Sequence, residues 1–293
     1  MRSAWEKIIV ALTEFDYLTV AQITRLLYSP ASITHVHEQM KLLGENGSVL
    51  TLGGRAVNLP LIYTLSSTGR HYASMLGAAR GKRFRPSEEK DKGHNPYFLK
   101  HTIAVTDVLI AARLLADSVP AIRLTRMYTE RELRRRIYIP LAGKTICLEP
   151  DASLLFRITE TWHEEPETWE DFFHIEVYRN LPPAEWRFKQ KVQGYVATVD
   201  TGRHEALFHT PALAIAVMTT SESEQMAATL KCWTEETLQA MGRAEEGGQF
   251  FFCNLDTATA TPEEIFLSPV WEQTFSTTKT PLLILEGDAE QHR

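Results

Sequence analysis

The sequence predicts an α+β protein with two parts: a small helical N-terminal domain closed by a β-hairpin, and a larger domain whose mixed sheet is flanked by helices. Three observations predict this. Before residue 48, apolar residues recur three times at helical spacing, and two short strand-like runs follow. Beyond Pro96 the segments read in the order αβββαβαβ, which requires a sheet with helices packed against it. Between the two lies Gly77–Asn95, a stretch with almost no apolar side chains that reads as a linker. With 293 residues the chain exceeds the usual single core, so the expected division is 1–77, a basic linker at 78–95, a core at 96–275 and a tail at 276–293.

The first amphipathic helix is marked by Trp5, Ile8, Ile9, Leu12 and Phe15. Thr19 is placed to cap a second, with Val20, Ile23, Leu26 and Leu27 on one face. Ser29-Pro30 breaks the chain, and Ser32 caps a third whose apolar side is Ile33, Val36, Met40 and Leu43. Ser48–Leu52 and Leu61–Leu65 form a hairpin around Gly53-Gly54, and Ser67 opens a further helix. Three helices and a hairpin in this order make a winged helix-turn-helix. A single helix fits the major groove, about 12 Å wide, while a hairpin reaches the neighbouring backbone. The third helix would be the reader, presenting Thr34, His35, His37 and Lys41, with Arg55 on the wing and Arg80, Lys82, Arg83 and Arg85 in the linker. Cations there release counterions from phosphate, although a charged linker also simply stays solvated. Winged helices also bind proteins, so both partners stay open. His35-Val36-His37 is not read as a metal pair, because on a helix the two imidazoles diverge by about 200°.

In the larger part, Pro96–Ala116 reads as a long helix. Strands follow at Ile122–Tyr128, at Thr145–Leu148 running on to Leu154–Ile158, and at Phe172–Tyr178. Ala184–Val199 is helical, and Ala212–Thr219 is a continuous apolar run suited to a buried strand. Ser221 and Glu224 form a capping-box pattern for the next helix, and Gln249–Asn254 is the last strand. The acidic stretch from Glu160 to Asp171 reads as a solvated hairpin tip. The run Arg131, Arg134, Arg135, Arg136 is either a phosphate-binding edge or an edge strand guarded by charge.

Charge is uneven. The net charge is −6, yet the residues before Pro96 carry 12 basic and 8 acidic side chains, net +4, against −10 for the rest. That asymmetry points to nucleic acid at one end. Three cysteines without a CxxC pair argue against a disulfide framework or a zinc knuckle. The longest apolar stretch, Ala212–Met218, is far short of the ~20 residues that cross a bilayer, and charges interrupt the N-terminus. A cytoplasmic protein with no membrane partner is expected.

Two carboxylates carry the candidate chemistry. Asp151 follows Pro150 at the start of a strand, and Glu176 lies in the next, with His174 and Tyr178 on its own face and Phe173, Ile175 and Val177 on the other. Carboxylates on adjacent strands can hold Mg²⁺, which activates water and neutralises a phosphodiester, and Lys189 or Lys191 on the following helix can supply a cation. The order αβββαβ with Pro150-Asp151 and Glu176 resembles the restriction-endonuclease-like fold. That fold's motif places a lysine two residues beyond the second acid, where this chain has Tyr178, so the resemblance assigns the lysine's role to Lys189 or Lys191. The whole resembles the replication-relaxation family of plasmids and other mobile elements. The carrying residues are Leu18-Thr-Val-Ala-Gln-Ile-Thr-Arg-Leu-Leu27, Tyr63-Thr-Leu-Ser-Ser-Thr-Gly69, His101-Thr-Ile-Ala-Val-Thr-Asp107, Pro150-Asp151, Ile175-Glu176, and Lys191 with Tyr195 a helical turn on. In that family the core strand usually reads Glu-hydrophobic-Asp, which Tyr178 breaks. The resemblance implies a DNA-binding protein concerned with element replication or DNA relaxation. Its partners would be double-stranded DNA, replication, transposition or mobilisation proteins, and a second copy of itself. An active core would use Mg²⁺ as cofactor with Asp151 and Glu176 as ligands; a degenerate core would use none.

Overall fold

The structure is a computed structural model that describes residues 2–52, 59–78, 96–134, 136–141, 143–162, 165–179, 182–220 and 224–285. The expected sites Arg55, Arg80, Lys82, Arg83 and Arg85, together with Ser221 and the tail from residue 286, lie outside the described residues. Two compact units divide the chain, Met1–Ile110 and Ala111–Arg293.

In the first unit the order is α1 (Ala4–Phe15), β1 (Leu18–Thr19), α2 (Val20–Leu27), α3 (Ile33–Glu45), β2 (Val49–Leu52), β3 (Ile62–Leu65) and α4 (Ser67–Met75). The strands form an antiparallel sheet in the order β1-β3-β2, with Leu18 opposite Tyr63 and Val49 opposite Leu65. Ile8, Ile9, Leu12, Phe15, Ile23, Val36, Met40 and Leu43 are buried, each worth roughly 1.5–3 kcal/mol over exposure. Ile33, expected on that apolar side, is 43% exposed instead. The cause is local: a 3-10 turn at Pro30–Ser32 precedes α3, and Ser32 makes no side-chain cap. Thr19 does cap α2, accepting the Gln22 N–H, while Gln22 Oε1 accepts the Thr19 N–H at 3.0 Å. Ser67 opens α4 as expected, and Ser66 caps it: the Ser66 Oγ accepts the Gly69 N–H at 3.1 Å and donates to the Gly47 carbonyl at 2.5 Å. A Cβ on Gly69 would stand 2.0 Å from the Ser48 carbonyl oxygen, so only glycine lets α4 lie so close to the chain entering β2.

The long helix α5 (Pro96–Ser118) was expected to belong wholly to the core, yet its first turns pack in the N-terminal unit. Leu99 joins Tyr17, Leu52 and Ile62 in one apolar cluster. Buried Asp107 accepts hydrogen bonds from Gln22 Nε2 at 3.0 Å and from the Arg25 guanidinium at 2.7 Å. Gln22 thus caps its own helix with one end of its amide and ties α2 to α5 with the other.

The second unit follows α5 with β4 (Ile122–Thr129), the short α6 (Glu130–Leu133), β5 (Ile137–Leu141), β6 (Lys144–Leu148), β7 (Ala152–Trp162), β8 (Glu165–Arg179), α7 (Glu185–Asp200), α8 (Arg203–Phe208), β9 (Ala214–Thr220), α9 (Gln225–Met241), β10 (Phe250–Asn254), α10 (Pro262–Phe266), β11 (Trp271–Gln273) and β12 (Lys279–Thr280). Seven strands form one mixed sheet, ordered β12-β11-β10-β9-β8-β7-β4. β4, β7 and β8 run as an antiparallel meander; β9 and β10 join parallel through helical crossovers. The α+β class with a helix-flanked mixed sheet is therefore the observed one.

Two expectations change here. The acidic stretch is a hairpin as expected, but its strands β7 and β8 run on through Glu160 and from Glu165, so most of it is paired strand rather than tip. Arg157 pairs with Glu170 at 2.6 Å, and Thr159 bonds Thr168 at 3.0 Å. The arginine run does not form an edge strand: Arg131 lies in α6, Arg134 pairs with Glu130 at 2.6 Å, and Arg136 stacks over Tyr128 at 5.2 Å. The strand that follows it, Ile137–Leu141, pairs with Lys144–Leu148 as a separate hairpin. That hairpin meets α7 at Gly194, where a Cβ would stand 3.1 Å from Ile146 Cδ1.

Candidate functional site

Strand alternation sets the site. On β8, Phe172 and Glu176 project to the side covered by α7, while Phe173 meets Phe156 on the other, ring centroids 6.3 Å apart. Glu176 is 2% exposed and needs compensation, since a lone buried carboxylate is costly. α7 supplies it. Lys191 Nζ donates to Oε2 at 2.5 Å, and the Tyr195 hydroxyl, one helical turn on, donates to Oε1. Burial pushes the Glu176 carboxyl up to about 7, against the lowering pull of Lys191 and with a further push from Asp151. Lys191 is held above its ordinary range: burial alone would lower it, but Glu176 and Asp151 together outweigh that.

Asp151 stands beside this pair. Its backbone N–H donates to the Ile175 carbonyl at 3.1 Å, and its Oδ2 accepts the Val177 N–H at 2.8 Å. The two acids therefore flank one register position of the β7–β8 ladder. Of the four residues expected to carry chemistry, the structure brings Asp151, Glu176 and Lys191 together. Lys189 does not join them, because two residues along a helix face away from each other; it pairs with Glu185 at 2.7 Å and Glu236 at 2.6 Å. Tyr178, which holds the place of the motif's lysine, packs its ring edge on Phe188, centroids 5.7 Å apart. Burial, then Glu176 and Asp151, raise its hydroxyl well above the usual range.

Next along β8 lies a buried polar group that the sequence pattern did not reveal. Ser153, opposite His174 in the register, bonds His174 Nδ1 at 2.7 Å, while His174 Nε2 has no partner among the described residues. His204 on α8 crosses it at 5.8 Å between ring centres. Burial, then His204 and Lys191, hold His174 neutral, well below the usual range. Only the strand register pairs Ser153 with His174, and residue spacing does not carry that.

Two carboxylates and a lysine invite the question of a metal. The donor set does not fit one. Both Glu176 oxygens are engaged, one by an ammonium whose charge opposes a dication, and no group of three His, Cys, Asp or Glu side chains is arranged for a metal among the described residues.

In the N-terminal unit, Thr34, His35, His37 and Lys41 all lie on the exposed side of α3, opposite buried Val36, Met40 and Leu43. The two histidines are thus helix-surface residues: the His35 ring stands edge-on to Tyr28 at 5.9 Å. Lys41 has Glu45 at 3.9 Å, a surface pair of little energetic consequence. No helix among the described residues is long and apolar enough to cross a membrane.

No curated protein and no solved structure matches the chain. The replication-relaxation family does, over residues 10–268. That span takes in the α2 cap, the Ser66–Gly69 turn, Asp107 and the Glu176–Lys191–Tyr195 cluster. The chain is a member of the replication-relaxation family.

Proposed function

We propose that this is a duplex-DNA-binding protein of a plasmid or other mobile element, acting in replication or relaxation of that element's DNA. In this reading the N-terminal unit works as a winged helix and the second unit is a restriction-endonuclease-like core that no longer cuts. The observation that carries it is the build of α3: one side is buried on the unit's core, and the exposed side carries Thr34, His35, His37 and Lys41 together with Glu38 and Leu42. The order of helices and strands in that unit and the family membership support it. The test is binding of the full chain to duplex oligonucleotides across a salt series. Phosphate contacts require log K to fall linearly with log salt. Lys41→Glu is expected to weaken binding at low salt, whereas a wild-type affinity indifferent to salt would assign α3 to a protein partner in an assembly role.

One observation favours a second reading. Lys191 meets Glu176 from the neighbouring helix, the arrangement an Mg²⁺-dependent endonuclease with a migrated lysine would need. Supercoiled plasmid incubated with the full chain and Mg²⁺ or Mn²⁺ decides between them. The leading reading expects no nicking; nicking that Asp151→Asn abolishes would replace it.

A further inference from the structure

We propose that the Lys191 ammonium is a built-in substitute for a divalent cation. It holds the Asp151–Glu176 carboxylates together without metal, and deleting its charge turns that pair into a divalent-cation site. The inference deepens the reading of the second unit as a core that does not cut, and it rests on that reading alone.

The geometry gives the argument. Asp151 and Glu176 sit at neighbouring positions of the β7–β8 ladder, fixed there by backbone: the Asp151 N–H bonds the Ile175 carbonyl, and Asp151 Oδ2 takes the N–H of the residue after Glu176. Two carboxylates so placed repel. Something cationic must offset the repulsion. In this chain it is Lys191, whose Nζ reaches in from α7 to lie 2.5 Å from Glu176 Oε2. The Lys191 side chain is 24% exposed and that of Glu176 2%, so the stem crosses from the surface to a buried carboxylate. A divalent cation is held by oxygen ligands, whereas the lysine head brings three donors and a positive charge of its own to the same carboxylate. Tyr195 completes the arrangement by satisfying Oε1 with a neutral donor. The same contacts fasten α7 to β8, so the substitution serves the fold as well as the charge balance.

Lys191→Met keeps the length of the stem and removes the charge; Glu176→Gln/Lys191→Met removes both partners. Thermal unfolding of the full-length variants is followed in EDTA and in rising Mn²⁺. Binding is counted by the Mn²⁺ paramagnetic resonance signal. The wild type and the double variant are expected to give no saturable rise in Tm and no bound Mn²⁺. Lys191→Met is expected to melt about 5–10 °C lower in EDTA and to recover part of that with one Mn²⁺ bound per chain, a gain that Asp151→Asn removes. A folded Lys191→Met that binds no Mn²⁺ overturns the proposal. If Lys191→Met does not fold, the wild type decides: saturable Mg²⁺ or Mn²⁺ stabilisation lost in Asp151→Asn overturns it, and a flat response upholds it. No DNA enters this experiment, so its failure leaves the DNA-binding reading untouched, and the reverse also holds.

Discussion

At the scale of the residue, Glu176 is a buried carboxylate, and its pH behaviour follows. Its carboxyl titrates at about 7 in the folded chain against the ordinary 4.5. Between those values the folded state holds a proton that the unfolded state has released, so its share of stability falls as pH rises through that window. The difference in unfolding free energy between wild type and Glu176→Gln is therefore expected to change steadily from pH 5 to 7, and denaturant titrations would show it; a pH-independent difference would contradict the burial argument. His174 acts in the opposite sense. Its folded pKa is depressed, so acidification below the ordinary 6.5 charges it in the unfolded chain first and costs stability. The His174 imidazole is expected to show no NMR titration near pH 6.5 in the folded protein; a midpoint there would mean that it is solvated. Much of this was legible beforehand. Alternation along Phe172–Tyr178 put His174, Glu176 and Tyr178 on one face, and Pro150-Asp151 marked the second acid. Which lysine would arrive was not legible, because Lys189 and Lys191 lie on one helix and only its rotation against the sheet chooses between them.

At the scale of the element, the family's short motifs turn out to be joints. Leu18–Leu27 carries a cap and a tether in one side chain, Gln22; Tyr63–Gly69 carries a turn that only glycine can close; His101–Asp107 ends on the carboxylate that receives both Gln22 and Arg25. Gly69→Ala would drive a methyl into the Ser48 carbonyl and is expected to cost about 3 kcal/mol, at the upper end for overpacking. Asp107→Ala takes the carboxylate from the Arg25 guanidinium and one of two acceptors from Gln22 Nε2, which keeps the Ile103 carbonyl at 3.0 Å, for about 1–2 kcal/mol after allowance for the partly solvated arginine. Chemical denaturation measures both, and a loss under 0.5 kcal/mol in either would refute the joint it tests. Helices were legible wherever one face is apolar, as in α1 and α2. Ile137–Leu141 was missed because Pro140 and the preceding arginines masked a strand whose pairing partner lies just beyond it. The full length of the β7–β8 strands was not legible because their outer residues, such as Thr159, Glu160, Glu167 and Thr168, are polar on both faces and give no alternating hydropathy.

At the scale of the whole molecule, charge is unevenly divided along the chain. The stretch before Pro96 is net positive and contains a helix with an exposed polar face, while the remainder is net negative. Long-range attraction of nucleic acid to the second unit is opposed by that charge, which agrees with a core whose acids are closed by lysine and tyrosine rather than open to phosphate. The fold class and the family were both legible from the order of segments and the spacing of a few motifs. The central claim is that the N-terminal unit engages duplex DNA through α3. It is tested most directly by the affinity of the full-length protein for duplex DNA as a function of salt, beside a variant with Thr34, His35, His37 and Lys41 all changed to alanine. The account predicts that wild-type log K falls linearly with log salt and that the variant binds at least about tenfold more weakly at low salt. Equal affinities for the two proteins, or no binding by the wild type at low ionic strength, would contradict it.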